Sequence, residues 1–207
     1  MQFVPLHVYS GYSFLRSGLS IAKIVGMAKK NGYSTVGLSD FETLSGYPEF
    51  YHTLEKYETK PVFGLDVVID DVLYSLFLHN EAGDRNLIKI AYEKSKGTLN
   101  RLFLLKHQEG LSVVLPSESS PIYDLYKTDV KQLISWLRYQ STGIERFYLG
   151  VPYMPSEQGF VEFLRKLCEK YPYEKVAFPH FLYARKNDAI VPRLCHLLFQ
   201  NRGGRVG

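Results

Sequence analysis

Short β-rich runs alternate with helical patterns along nearly the whole chain, and this alternation limits the fold more than any other feature. Runs rich in Val, Ile, Leu, Phe and Tyr cover residues 3–8, 35–39, 61–69, 72–79, 111–115, 146–151 and 175–182. Between most of them lie helix candidates at 20–30, 47–56, 86–95, 129–138, 159–169 and 188–199. In the first, Ser20 offers a side-chain cap, Ile21, Ile24, Val25 and Ala28 share one face, and Asn31 and Gly32 stop it. In the last, Pro192 stands near enough to the start to be tolerated in a first turn. Strands separated by helices of this length imply βαβ units and an α/β fold with a mainly parallel sheet, open or closed as a barrel; the number of strand-like runs favours closure. No internal repeat interrupts the pattern, and the Ser/Pro-rich stretch 116–121 reads as a loop.

At 207 residues, 45% of them hydrophobic, the chain can bury a sizeable core as one domain. No apolar run approaches the roughly 20 residues that span a bilayer, so no membrane association is expected. The start, MQFVPLHVYS, lacks a basic region ahead of an apolar stretch, which points away from a secretory signal and towards the cytoplasm. Cys168 and Cys195 lie in helix-like segments and make no ligand pair, as suits a reducing compartment. The net charge of +4 is scattered over helices; it is compatible with nucleic acid nearby and does not argue for it. The 16 Tyr and 13 Phe are expected to fill the core and strand faces, since no basic-aromatic alternation recurs.

In parallel α/β folds ligands gather at the carboxyl ends of strands. The polar residues expected there are His7, Asp40, Asp66 and His180. Imidazole nitrogens and carboxylate oxygens are the usual ligands of zinc and manganese, so four such groups converging on one barrel mouth could hold a single ion. Each also has an ordinary role: a strand-end histidine bonded to a neighbour, or an aspartate capping the next turn. In "PLHVYSGYSFLRSG" a second histidine after His7 would place two imidazoles on one face, and Tyr9 stands there instead.

The segment "FVPLHVYSGYSFLRSGLSIAKIVGMAKKNGYSTVGLSDFETLSGYPEFY", followed by "KPVFGLDVVI", resembles the amino-terminal polymerase and histidinol phosphatase (PHP) domain of bacterial DNA polymerase III alpha subunits. The family's pattern there is a strand ending His-x-His-Ser, then Tyr-Ser-x-Leu, a helix, Leu-Thr-Asp-His with Tyr-Gly-x-x-x-Phe-Tyr after it, and Pro-Ile-x-Gly-x-Glu. The likeness continues through "LFLHNEAGDRNLIKI", fades from about residue 98 to 144, and returns at "RFYLGV" and "KVAFPHFLYARKNDAIVPRLCHLL". It implies a distorted seven-stranded β/α barrel whose mouth, in intact members, binds a cluster of metal ions that hydrolyses phosphoesters.

Position by position, the resemblance implies a depleted ligand set. His7 and Asp40 stand where family ligands stand, Asp66 replaces a glutamate, and His180 falls in the last ligand-bearing strand. Tyr9 and Phe41 replace histidines, Ser75 takes a third histidine position, Gly150 takes an acidic one, and the Asp-x-His pattern aligns with His180 and Leu182, although a two-residue shift would restore His180 as its histidine. A phenyl ring, an alkyl chain and a glycine offer no lone pair to a metal. Tyr9 would bind only if deprotonated, which needs a strong cation already in place.

Two expectations follow. The first is a non-catalytic domain over residues 1–207, the amino-terminal part of a DNA-directed DNA polymerase of chromosome replication. Its partners are then the other domains of the same chain and replisome subunits, with DNA met through the full-length protein and the nucleotidyl-transfer carboxylates beyond residue 207. The second is a metal-dependent phosphoesterase or 3′ to 5′ exonuclease acting through His7, Asp40, Asp66 and His180. A freestanding histidinol-phosphate-type phosphatase fits less well, because the Tyr-Ser-x-Leu and Tyr-Gly-x-x-x-Phe-Tyr segments resemble the polymerase branch. His52, His107 and the Cys195-His196 pair read as surface or packing residues.

Overall fold

A computed structural model of the chain describes residues 3–118 and 121–181. The architecture is α/β, in two compact units: the described residues up to 65 with His180 and Phe181, and residues 66–179.

In the first unit α1 (Ile21–Lys30), β1 (Thr35–Phe41), α2 (Tyr47–Leu54) and the first part of β2 (Lys60–Ile69) follow in chain order. The α1 helix starts as its sequence requires, with Ser20 Oγ accepting from Lys23 N at 3.3 Å and Ile21, Ile24, Val25 and Ala28 buried. These side chains pack with Val36 and Leu38 of β1 and with Phe50 and Leu54 of α2 in one apolar cluster. Strand β1 is buried at five consecutive positions, Val36 to Asp40, as a strand covered on both faces must be.

Residues 3–8, expected as a strand, make only an isolated parallel bridge between Val8 and Phe181. Pro5 has no N–H to give to a ladder. The segment is nevertheless bonded on two sides: Gly37 N donates to Pro5 O at 2.7 Å, Ser39 N to Val8 O at 3.0 Å, and Phe181 N to His7 O at 2.9 Å. Gly37 permits this approach, since a Cβ there would lie 2.5 Å from Leu6 O.

The second unit holds the rest of β2, then β3 (Val72–Leu78), α3 (Glu81–Ser95), α4 (Arg101–Lys106), β4 (Leu111–Pro116), α5 (Ile122–Thr128), α6 (Val130–Ser141), β5 (Phe147–Val151), α7 (Gln158–Lys170) and β6 (Glu174–Ala177). Neighbouring strands here follow chain order from β2 to β6. The expectation of a mainly parallel sheet holds only for its later part. Strands β4, β5 and β6 are parallel, whereas β3 and β4 are antiparallel. The reason lies in the connections: β2 reaches β3 through the two-residue turn Asp70-Asp71, and β3 reaches β4 through two helices, which carry the chain out and back to the same end.

Other boundaries shift for local reasons. Helix α3 starts earlier than expected because Asn80 Oδ1 accepts from Gly83 N at 2.9 Å, and α6 starts after Asp129, whose Oδ1 accepts from Lys131 N and Gln132 N. The short helices α4 and α5 were not anticipated. The seventh run, 175–182, is realised as β6 at 174–177 and then meets Pro179, which cannot donate to a ladder. Residue 182 and the expected helix at 188–199 lie outside the described residues. Among the described residues six strands and seven α-helices form, one strand short of the expected barrel because residues 3–8 make a single bridge.

Candidate functional site

The end of β1 and the loop after His7 build the candidate site of the first unit. Asp40 is fully buried, and a carboxylate there must be compensated by donors or by a cation. Donors do it. Ser10 N and Ser13 Oγ donate to Oδ1 and Ser10 Oγ donates to Oδ2, each at 2.6 Å. Ser13 Oγ in turn accepts from Phe41 N at 2.9 Å, and Ser10 Oγ accepts from Tyr12 N at 3.2 Å. Asp40 thus ties residues 10–13 to the end of β1 and works as an anchor for the loop.

His7 and His180 come together as the ligand expectation required, but as a stack. Their rings lie 3.8 Å apart between centroids with 7° between planes. Tyr9, 2% exposed, meets both edge-on, at 5.4 Å from His7 and 4.2 Å from His180. Phe41 approaches Tyr9 at 6.5 Å, and the Arg16 guanidinium carbon sits 3.5 Å from the centre of the Phe41 ring. Burial, then the neighbouring His7, then Arg16 hold the His180 imidazole well below its usual range, so it is neutral near pH 7. His180 Nε2 is buried without a hydrogen-bond partner among the described residues.

An ion shared by two imidazoles must lie along both in-plane lone pairs, about 2.0–2.1 Å from each nitrogen. Nearly parallel stacked rings send those lone pairs alongside one another, so they cannot converge. The paired imidazoles of the first unit do not fit a shared metal ion as they stand.

The remaining positions belong to the second unit. Asp66 is fully buried on β2, and Ser75 is fully buried on β3, its Oγ without a hydrogen-bond partner among the described residues. At Gly150 a Cβ would lie 3.1 Å from Phe178 and 3.2 Å from Leu115 O, so the wall that faces it leaves little room for an acidic side chain. Leu182, Cys195 and His196 lie outside the described residues. His52 is exposed beside Glu55, and His107 stacks on Phe103 with its Nδ1 3.0 Å from Phe103 O; neither joins a site.

Sequence reasoning missed Arg16, Ser10 and Ser13. A spacing of three between two serines, just after a strand-end histidine, hinted at a turn that could wrap a carboxylate; nothing local named Asp40 as its target.

A model of the PHP domain family matches residues 5–151. The chain belongs to the PHP domain family. This PHP domain is 31% identical over 201 residues to the DNA polymerase III subunit alpha of Bacillus subtilis, covering 91% of this chain and 18% of that one. It is 34% identical over 120 residues to the Streptococcus pyogenes serotype M3 subunit, covering 56% of this chain and 12% of that one. The PHP domain therefore spans less than a fifth of these relatives. Among solved structures it resembles an amidohydrolase from Chromobacterium violaceum with bound sulfate and no metal, at a TM-score of 0.61 and 11% identity over 89% of each chain. A Bifidobacterium adolescentis protein described as a metal-dependent phosphoesterase gives a TM-score of 0.56 and 13% identity over 93% of this chain and 96% of that one. At such identities the likeness extends to the fold alone. No helix among the described residues is long and apolar enough to cross a membrane.

Proposed function

We propose that this PHP domain is the amino-terminal module of a replicative DNA polymerase III alpha subunit in the cytoplasm and that it works there as a non-catalytic scaffold. Other domains of the same polymerase and replisome subunits pack on it, and DNA is met through the full-length protein. Similarity to two alpha subunits supports the setting. One observation carries the absence of catalysis: His7 and His180, two ligands of the expected cluster, stack nearly parallel at 3.8 Å, so their lone pairs do not converge on one ion. In this reading residues 3–8, bonded to β1 and to residue 181, are the seventh strand of a distorted barrel.

The second reading, a phosphoesterase or 3′ to 5′ exonuclease holding one zinc or manganese ion, draws on the His7–His180 pair and the unbonded His180 Nε2. It needs one of those rings to turn so that both lone pairs can point at one ion. The two are separated by elemental analysis of protein equilibrated with zinc and manganese, alongside an exonuclease assay on mispaired primer ends. The scaffold reading expects far less than one ion per chain and no activity. A stoichiometric ion, with activity abolished by His7→Ala, overturns it.

A further inference from the structure

We propose that Arg16 is the resident cation of the first unit's site, placed on Phe41 so that a divalent metal is kept from the His7–His180 pair. The inference rests on the scaffold reading above and adds what enforces it. Loss of the expected histidines at Tyr9 and Phe41 removes donors; it does not by itself repel an ion. Arg16 does, because its permanent positive charge lies on the face of the ring that stands where one ligand was expected, 3.5 Å from the ring centre. Phe41 is suited to hold a guanidinium through its π face and unsuited to hold a metal.

The loop is built to deliver that side chain. Leu15, immediately before it, sits at φ 57°, a left-handed conformation that a leucine adopts only when the surrounding structure imposes it. Immediately after it, Ser17 Oγ donates to Tyr9 O at 2.8 Å and accepts from Leu19 N at 3.1 Å. The Asp40 clamp fixes the other end of the loop at Ser10 and Ser13. Arg16 is therefore bracketed by a strained residue and a pinned one, on a loop anchored to the strand that carries Phe41.

The test is zinc and manganese binding, read by equilibrium dialysis with elemental analysis and by the metal-dependent shift in Tm, for four forms of the full chain. They are wild type, Arg16→Met, the double variant Tyr9→His/Phe41→His, and the triple variant that adds Arg16→Met. Methionine keeps an apolar stem of similar length and removes the charge together with the guanidinium's N–H donors. Wild type is expected to take up no stoichiometric ion, and the triple variant to bind zinc at least tenfold more tightly than the double. Equal affinity of double and triple variants overturns the role of Arg16 while leaving the scaffold reading intact. A stoichiometric ion in wild type overturns the inference, and the scaffold reading falls with it only if exonuclease activity accompanies the ion. If the histidine variants do not fold, a zinc-dependent Tm shift in Arg16→Met that wild type lacks supports the proposal, and the same response in both sinks it.

Discussion

A buried carboxylate must be compensated, and Asp40 accepts hydrogen bonds from Ser10 N, Ser10 Oγ and Ser13 Oγ. Because three buried donors lose their acceptor together, Asp40→Ala should cost about 3 kcal/mol or more, seen as a lower urea midpoint; Asp40→Asn, which keeps one oxygen, should cost less. Tyr74 is a second buried polar group that sets a measurable limit. Its hydroxyl donates to Gln140 Oε1, and burial is the main cause pushing its pKa up to about 12. The unfolded phenol loses its proton near pH 10, before the folded one does, so the unfolded state binds fewer protons above that pH. Stability is thus intact below about pH 10 and falls as pH rises towards 12. Urea midpoints measured from pH 8 to 11 should decline for wild type and decline less for Tyr74→Phe.

At the scale of elements, turns rather than strands decide the sheet. The Asp70-Asp71 turn holds both residues at positive φ, 48° and 63°, which glycine adopts without strain and aspartate does not. Asp71→Gly should therefore stabilise the fold, by up to about 1 kcal/mol, measured by thermal or urea unfolding. Asp70→Gly should not gain as much, because Asp70 Oδ2 accepts from Arg101 N at 3.0 Å and holds the start of α4. Removing the Ser20 cap of α1 by Ser20→Ala should cost about 1 kcal/mol on the same measurement. The α3–α4 pair reverses the direction of β4 because two helices return the chain to the end it left, a consequence of the turn at Gly97 that no strand composition shows.

For the whole molecule, the excess of four positive charges predicts migration towards the cathode at pH 7 and a solubility minimum near pH 8.9, checked by native electrophoresis and by solubility against pH. Much of the architecture was legible in the sequence. The cap at Ser20, the one-sided apolar spacing of α1 and the β-rich runs of β1 to β5 are local signals, set by residues a few positions apart. Residues 3–8 were legible as extended chain, but Pro5 denied them a regular ladder. Of the site, the side-chain chemistry available at Tyr9, Phe41 and Gly150 could be read directly, since it needs no coordinates. The geometry could not. Whether His7 and His180 converge or stack, how Asp40 meets two serines, and where the Arg16 charge comes to rest depend on residues 25 to 173 positions apart meeting in space. Sequence determined which groups were available; only tertiary packing decided which partner each one took, because those partners compete within a few ångströms for the same lone pairs and ring faces.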